Sequence, residues 1–108
     1  MNKNVSIFIT HNNGQDTEDA RRFLQGDGKF YSFAEGRRNI FHFDSLNREI
    51  KQIFKMMSPY DYLLISGNIV ISSLVTALVY SEFKRVKVLI WNHHEKEYVV
   101  RAIDFDEV

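Results

Sequence analysis

The chain has no cysteine among its 108 residues. That excludes disulfides, thiol catalysis and cysteine-ligated zinc or iron–sulfur sites, and it fits a reducing cytoplasm. Net charge is absent too: fourteen basic and fourteen acidic residues cancel. No general electrostatic grip on nucleic acid or on an anionic membrane is therefore indicated. Neither G-x-x-x-x-G-K-[ST] nor G-x-G-x-x-G occurs, and Ser66 lacks the G-x-S-x-G setting of a nucleophile elbow. The N-terminus has one lysine before a strand-like run and lacks the long apolar region of a signal peptide. The apolar stretch from Tyr62 to Tyr80 is interrupted by Ser66, Gly67, Asn68, Ser72, Ser73 and Thr76. It divides at Gly67-Asn68 and does not make one membrane span, which wants about 20 predominantly apolar residues.

What is present is ordinary globular composition, 44% hydrophobic and 26% charged, with nine Phe and five Tyr to supply large buried surfaces. The length suits one domain, residues 1–108, with a real core. The most informative segment runs from Tyr62 to Leu74. Tyr62 to Ile65 are apolar without alternation, as in a strand covered on both faces. Gly67 allows a sharp turn, and Asn68 can cap the buried helix after it. Such a turn presents backbone N–H groups where an anion or phosphate can sit.

Along the chain, Val5 to Thr10 reads as a first strand with Val5, Ile7 and Ile9 on one face and Phe8 on the other. The polar loop His11 to Gln15 leads to a short helix capped by Asp16 or Thr17, with Ala20, Phe23 and Leu24 as its apolar stripe. From Lys29 to Asp44 one or two strands are expected, Phe30 to Phe33 and Ile40 to Phe43, with Gly36-Arg37-Arg38 between them as a hairpin turn or an irregular loop. The second is favoured because a helix follows it at once. That helix, capped by Asp44 or Ser45, carries Leu46, Ile50, Ile53, Phe54 and Met57 at helical spacing and stops at Ser58-Pro59. Strand Tyr60 to Ile65, helix Ile69 to Lys84, and strands Val86 to Trp91 and Glu97 to Ile103 complete the order. Asp104, Asp106 and Glu107 make an acidic tail. Strands alternating with helices predict an α/β fold, a small Rossmann-like or flavodoxin-like open sheet. It is mainly parallel, with helices on both faces and a C-terminal antiparallel hairpin.

In such sheets ligands bind beyond the carboxyl ends of the strands. Those ends carry Thr10, His11, Asn12 and Asn13, then Asp44-Ser45, then Ser66, Gly67 and Asn68, then Asn92-His93. A ligand site is expected on Thr10, His11, Asn12, Ser66, Gly67, Asn68 and Asn92; the plainer alternative is that loops are polar anyway. Gly67→Val is expected to block binding there while leaving the fold largely intact. His11 is the candidate general acid–base, with Asp44 to orient it, against a solvent-exposed loop histidine. His42 and Asp44, two apart in a strand, would face one way and with His11 could hold a metal; a half-buried histidine in an aromatic strand is the plainer reading. His93-His94 reads as a solvated turn. Arg21, Arg22, Arg37, Arg38, Lys84, Arg85 and Lys87, with Tyr31, Phe33 and Trp91, could face nucleic acid; without a recognisable motif they read as a solvated charged face. Trp91 is a base-stacking candidate or, more plainly, a core or edge aromatic.

Three functions compete. The first is a small-ligand-binding or regulatory domain for a nucleotide or other phosphorylated small molecule. The second is a non-catalytic protein-interaction module, in one form a dimer through the hairpin's outer edge. It would be an accessory protein of the kind a phage or mobile element encodes, an idea resting on size alone. The third is a small hydrolase or phosphotransfer enzyme using His11 and Asp44. The sequence does not identify a cofactor.

Overall fold

The computed structural model describes residues 4–105. Its elements are β1 (Ile7–Ile9), a 3-10 helix (Glu18–Phe23), β2 (Phe30–Ser32), α1 (Phe43–Phe54), β3 (Tyr62–Leu64), α2 (Ile69–Phe83), β4 (Val86–Asn92) and β5 (Glu97–Ile103). The strands form one sheet in the order β2-β1-β3-β4-β5. The pairs β1–β2, β1–β3 and β3–β4 are parallel, and β4–β5 is antiparallel. This is a small α/β fold with a mostly parallel five-stranded sheet and a C-terminal antiparallel pair. Of the acidic tail, Asp106 and Glu107 lie outside the described residues, as does the N-terminal Met1-Asn2-Lys3.

Strand alternation divides the core in two. Phe8, Leu63 and Val88 point to one face and pack against Leu46 and Ile50 of α1 and Ile71, Val75 and Val79 of α2. Ile7, Ile9, Leu64, Leu89 and Tyr98 point to the other and meet Ala20, with Phe23 and Leu24 at its margin. Helices on both faces were expected. Among the described residues both α-helices share one face, and the short helix expected after Asp16 or Thr17 covers the other as a 3-10 helix. Ala20 is the one buried residue of that helix, too small an anchor to hold longer cover there.

The strand favoured at Ile40 to Phe43 is absent, and the competing segment Phe30–Ser32 is the strand. Asn39 explains the difference. Its side-chain oxygen accepts from Phe41 N at 2.9 Å and its carbonyl from His42 N at 3.1 Å, which turns the chain into α1. Aromatic residues favour strands only where a sheet surface receives them, and Phe41 is 80% exposed. The cap of α1 also differs: His42 occupies the N-cap position, without a side-chain cap bond, and Asp44 and Ser45 lie inside the helix.

α2 is apolar nearly all round, and its β-branched residues are mediocre helix formers, so packing and caps must hold it. Asn68 supplies the N-cap as expected, and Lys84 closes the other end in the left-handed region at φ 61°, its N–H bonded to Tyr80 O. Among the described residues no helix is long and apolar enough to cross a membrane.

Candidate functional site

β1 and β3 are neighbours whose connections leave in opposite directions, one toward the 3-10 helix and the other into α2. Their carboxyl ends therefore open a crevice at the point where the strand order reverses. Thr10 N–H donates to Leu64 O at 3.0 Å, continuing the ladder past β1. The fully buried Thr10 hydroxyl accepts from Ser66 N–H at 3.0 Å and lies 2.8 Å from both Ser66 O and the Ser72 hydroxyl. Ser72 Oγ also reaches Ser66 O at 2.9 Å. Two hydroxyl protons thus knit the strand end, the turn and the first turn of α2 together.

His11 is only 4% exposed. Its Nδ1 accepts from Asn68 N–H at 2.9 Å, so that nitrogen carries no proton. The proton is on Nε2, which donates to Gly36 O at 2.6 Å. The neutral ring is a clip between two loops that lie 25 and 57 positions along the chain. It is not the solvated loop histidine of the plainer reading. Nor does it pair with Asp44, since both ring nitrogens have other partners; Asp44 lines a separate cleft with Phe41, His42, Phe43, Ser45 and Arg48.

Gly67 turns at φ +81°, and a Cβ there would sit 2.5 Å from the Nδ1 and the carbonyl oxygen of His11. The contact argues against the expectation that Gly67→Val leaves the fold intact, because the side chain would displace the histidine that clips the turn. Asn68 Oδ1 accepts from Val70 N and Ile71 N at 2.8 and 3.2 Å. Three of the N–H groups an anion would use, those of Asn68, Val70 and Ile71, thus already have protein acceptors.

The other expected residues serve similar ends. Asn12 exchanges backbone bonds with Ala34 and Gly36, extending the β1–β2 pairing. Asn92 is occupied in the hairpin, its Oδ1 accepting from His94 N and Glu95 N. Sequence reasoning missed Ser72 and Gly36, and it placed Arg37 on a charged face and not beside this turn. Ser72 stands one helical turn after Asn68, a spacing that returns it to the strand ends. Arg37 lines a cleft of about 390 Å³ with His11, Asn13, Gln15, Arg38, Gly67 and Asn68. Arg38 also forms a bidentate pair with Glu49, which raises the guanidinium's pKa.

The metal reading loses its geometry, because His42 and Asp44 stand at a helix start and not on one face of a strand. Among the described residues no three acidic or histidine side chains cluster to hold an ion. The nucleic-acid surface loses its aromatics. Phe33 is buried and Tyr31 stacks on Phe8 at 4.8 Å, while Trp91 meets Tyr98 edge-on at 5.0 Å. Several of the arginines have carboxylate partners: Arg21 with Glu18, Arg22 with Glu97, Arg38 with Glu49 and Arg85 with Asp104.

Residues 7–105 match the model of one protein family, described as Phage Pam3 gp32-like protein. No curated protein and no solved structure is matched.

Proposed function

We propose that this chain, which belongs to the Phage Pam3 gp32-like protein family, is a non-catalytic protein-interaction module, an accessory protein of phage type. The observation that carries the reading is the display of large apolar side chains at the carboxyl edge. Phe41 is 80% and Ile69 78% exposed, with Phe43 and Ile65 also exposed at the same edge. Bulky apolar groups gathered at one edge mark a contact surface more often than a catalytic one. The buried histidine nearby, His11, has no nitrogen left for acid–base work. A photo-crosslinking residue placed at Phe41 or Ile69 in the expressing cell should give a discrete protein adduct. The same residue at Lys55, at the far end of α1, should give none. Absence of adducts from both edge positions would sink the reading.

A second reading rests on the cleft beside Arg37. The strand order 2-1-3-4-5 supports a flavodoxin-like arrangement, in which ligands lie at the β1/β3 reversal. A nucleotide or other phosphorylated small molecule would sit there against the Arg37 guanidinium. Inorganic phosphate and nucleotides should then raise the melting temperature of the wild type and not of Arg37→Ala. Equal shifts, or none, would remove this reading. A cytoplasmic location is proposed with both, on the lack of cysteine.

A further inference from the structure

Among the described residues no strand pairs with the outer edge of β5, and the ladder fixes which of its groups face outward. Ile65 N–H bonds to Leu89 O, so Lys87, Leu89 and Trp91 present their backbone to β3. Val86, Val88, Ile90 and Asn92 then bond β5 through Ile103, Arg101, Val99 and Glu97. Tyr98, Val100 and Ala102 are left with N–H and C=O directed away from the sheet. Among the described residues one side chain bonds to this edge: Arg22 donates to Tyr98 O at 2.9 Å and lies 3.7 Å from the Glu97 carboxylate.

An exposed apolar row runs to the same edge. Ile65 lies one step beyond the Leu64–Leu89 pair, beside Ile90, and Ile90 pairs with Val99. Ile65 is 37% and Ile90 42% exposed, and among the described residues no strand lies beyond Val99.

We propose that a second copy of this chain pairs antiparallel with β5 about a twofold axis at Val99, joining two five-stranded sheets. This register sets Val99 against the partner's Val99, so the row of three becomes a row of six. It sets Tyr98 against the partner's Val100, matching outward backbone groups. It sets Glu97 against the partner's Arg101, an attractive cross-strand pair made twice by symmetry. Neighbouring registers do worse. An axis at Val100 places Val99 opposite Arg101 and breaks the row, and an axis at Arg101 opposes two guanidinium groups. Arg22 is the brake, since it holds the Glu97 carboxylate that the partner's Arg101 would take. The Tyr98 carbonyl keeps a lone pair for the incoming strand.

Self-association through β5 is separate from a partner at the carboxyl edge, and sedimentation equilibrium of the purified chain tests it alone. The wild type should show a concentration-dependent monomer–dimer equilibrium. Arg22→Ala should tighten it, and Arg101→Glu should weaken it roughly tenfold or more by opposing like charges. Glu97→Arg combined with Arg101→Glu should restore it. Circular dichroism checks that these exposed substitutions leave the fold in place. A monomer at every concentration in both the wild type and Arg22→Ala would overturn the pairing. So would a dimer that Arg101→Glu does not weaken. Neither result touches the crosslinking reading of the carboxyl edge.

Discussion

At the carboxyl ends of β1 and β3, the side chains of Thr10, His11, Asn68 and Ser72 take up the backbone groups of the turn into α2. Along β5, the outward groups of Tyr98, Val100 and Ala102 meet one side chain among the described residues, Arg22. The first region looks like a binding site in sequence because it is polar, turn-rich and rich in small residues. In space those polar groups are consumed internally, and among the described residues no buried side-chain nitrogen or oxygen lacks a partner. The second region looks like plain alternating strand, yet among the described residues no strand takes its outward backbone groups. Polarity in a sequence therefore marks where hydrogen bonds are made, and not whether any remain for a ligand.

The largest expected effect tests the closed region. Gly67→Val combines a left-handed backbone with a contact of 2.5 Å to His11. Each of these costs about 1–3 kcal/mol, and a sum near 4 kcal/mol is a large part of a small domain's stability. Urea unfolding should show a chain largely unfolded or far less stable. A melting temperature near wild type would mean that the turn does not depend on His11. A proline pair then tests the open edge. Val99→Pro removes an N–H that bonds to β4 and should cost about 3 kcal/mol. Val100→Pro removes an outward N–H and should cost less than about 1 kcal/mol at concentrations where the chain is monomeric. Equal losses would show that the ladder parity assigned to β5 is wrong.

Asn68→Ala comes next, at about 1 kcal/mol for a lost N-cap, with Asn68→Asp retaining most of it because the carboxylate can accept the same two N–H bonds. Denaturant midpoints of the pair separate a cap from a ligand contact: a cap lowers the Ala variant's stability without any ligand present.

Legibility tracked the range of the interactions. The start of α2 was readable because Gly67 and Asn68 act within a few residues: one permits the turn and the other caps the helix. β5 was readable for the same reason, from alternation between a turn and an acidic end. The strand choice between Lys29 and Asp44 failed because both segments are aromatic. Only the neighbour β1, far away in sequence, decides which one pairs. The role of His11 failed likewise, since its two partners lie in other loops and no local pattern reports them. The candidate residues Thr10, His11, Ser66, Gly67 and Asn68 do converge, as parallel topology implies. What sequence could not reveal is that they converge on one another.

The smallest expected effect also belongs to the open edge. Burial, with smaller contributions from Asp16 and Asp19, raises the pKa of the Tyr98 phenol above its ordinary value near 10. Below about pH 10 the phenol is neutral in the folded and the unfolded chain alike, and it adds no pH dependence. As pH rises past that point the unfolded chain loses the proton first, so stability falls until the folded phenol ionises as well. Tyr98→Phe should flatten this alkaline loss, read as the difference between the two proteins' melting temperatures from neutral pH upward. Equal alkaline slopes would show that the Tyr98 ring is solvated. The 3-10 helix would then be a looser cover over this end of β5 than the Arg22–Tyr98 bond implies, and the brake on the edge correspondingly weak.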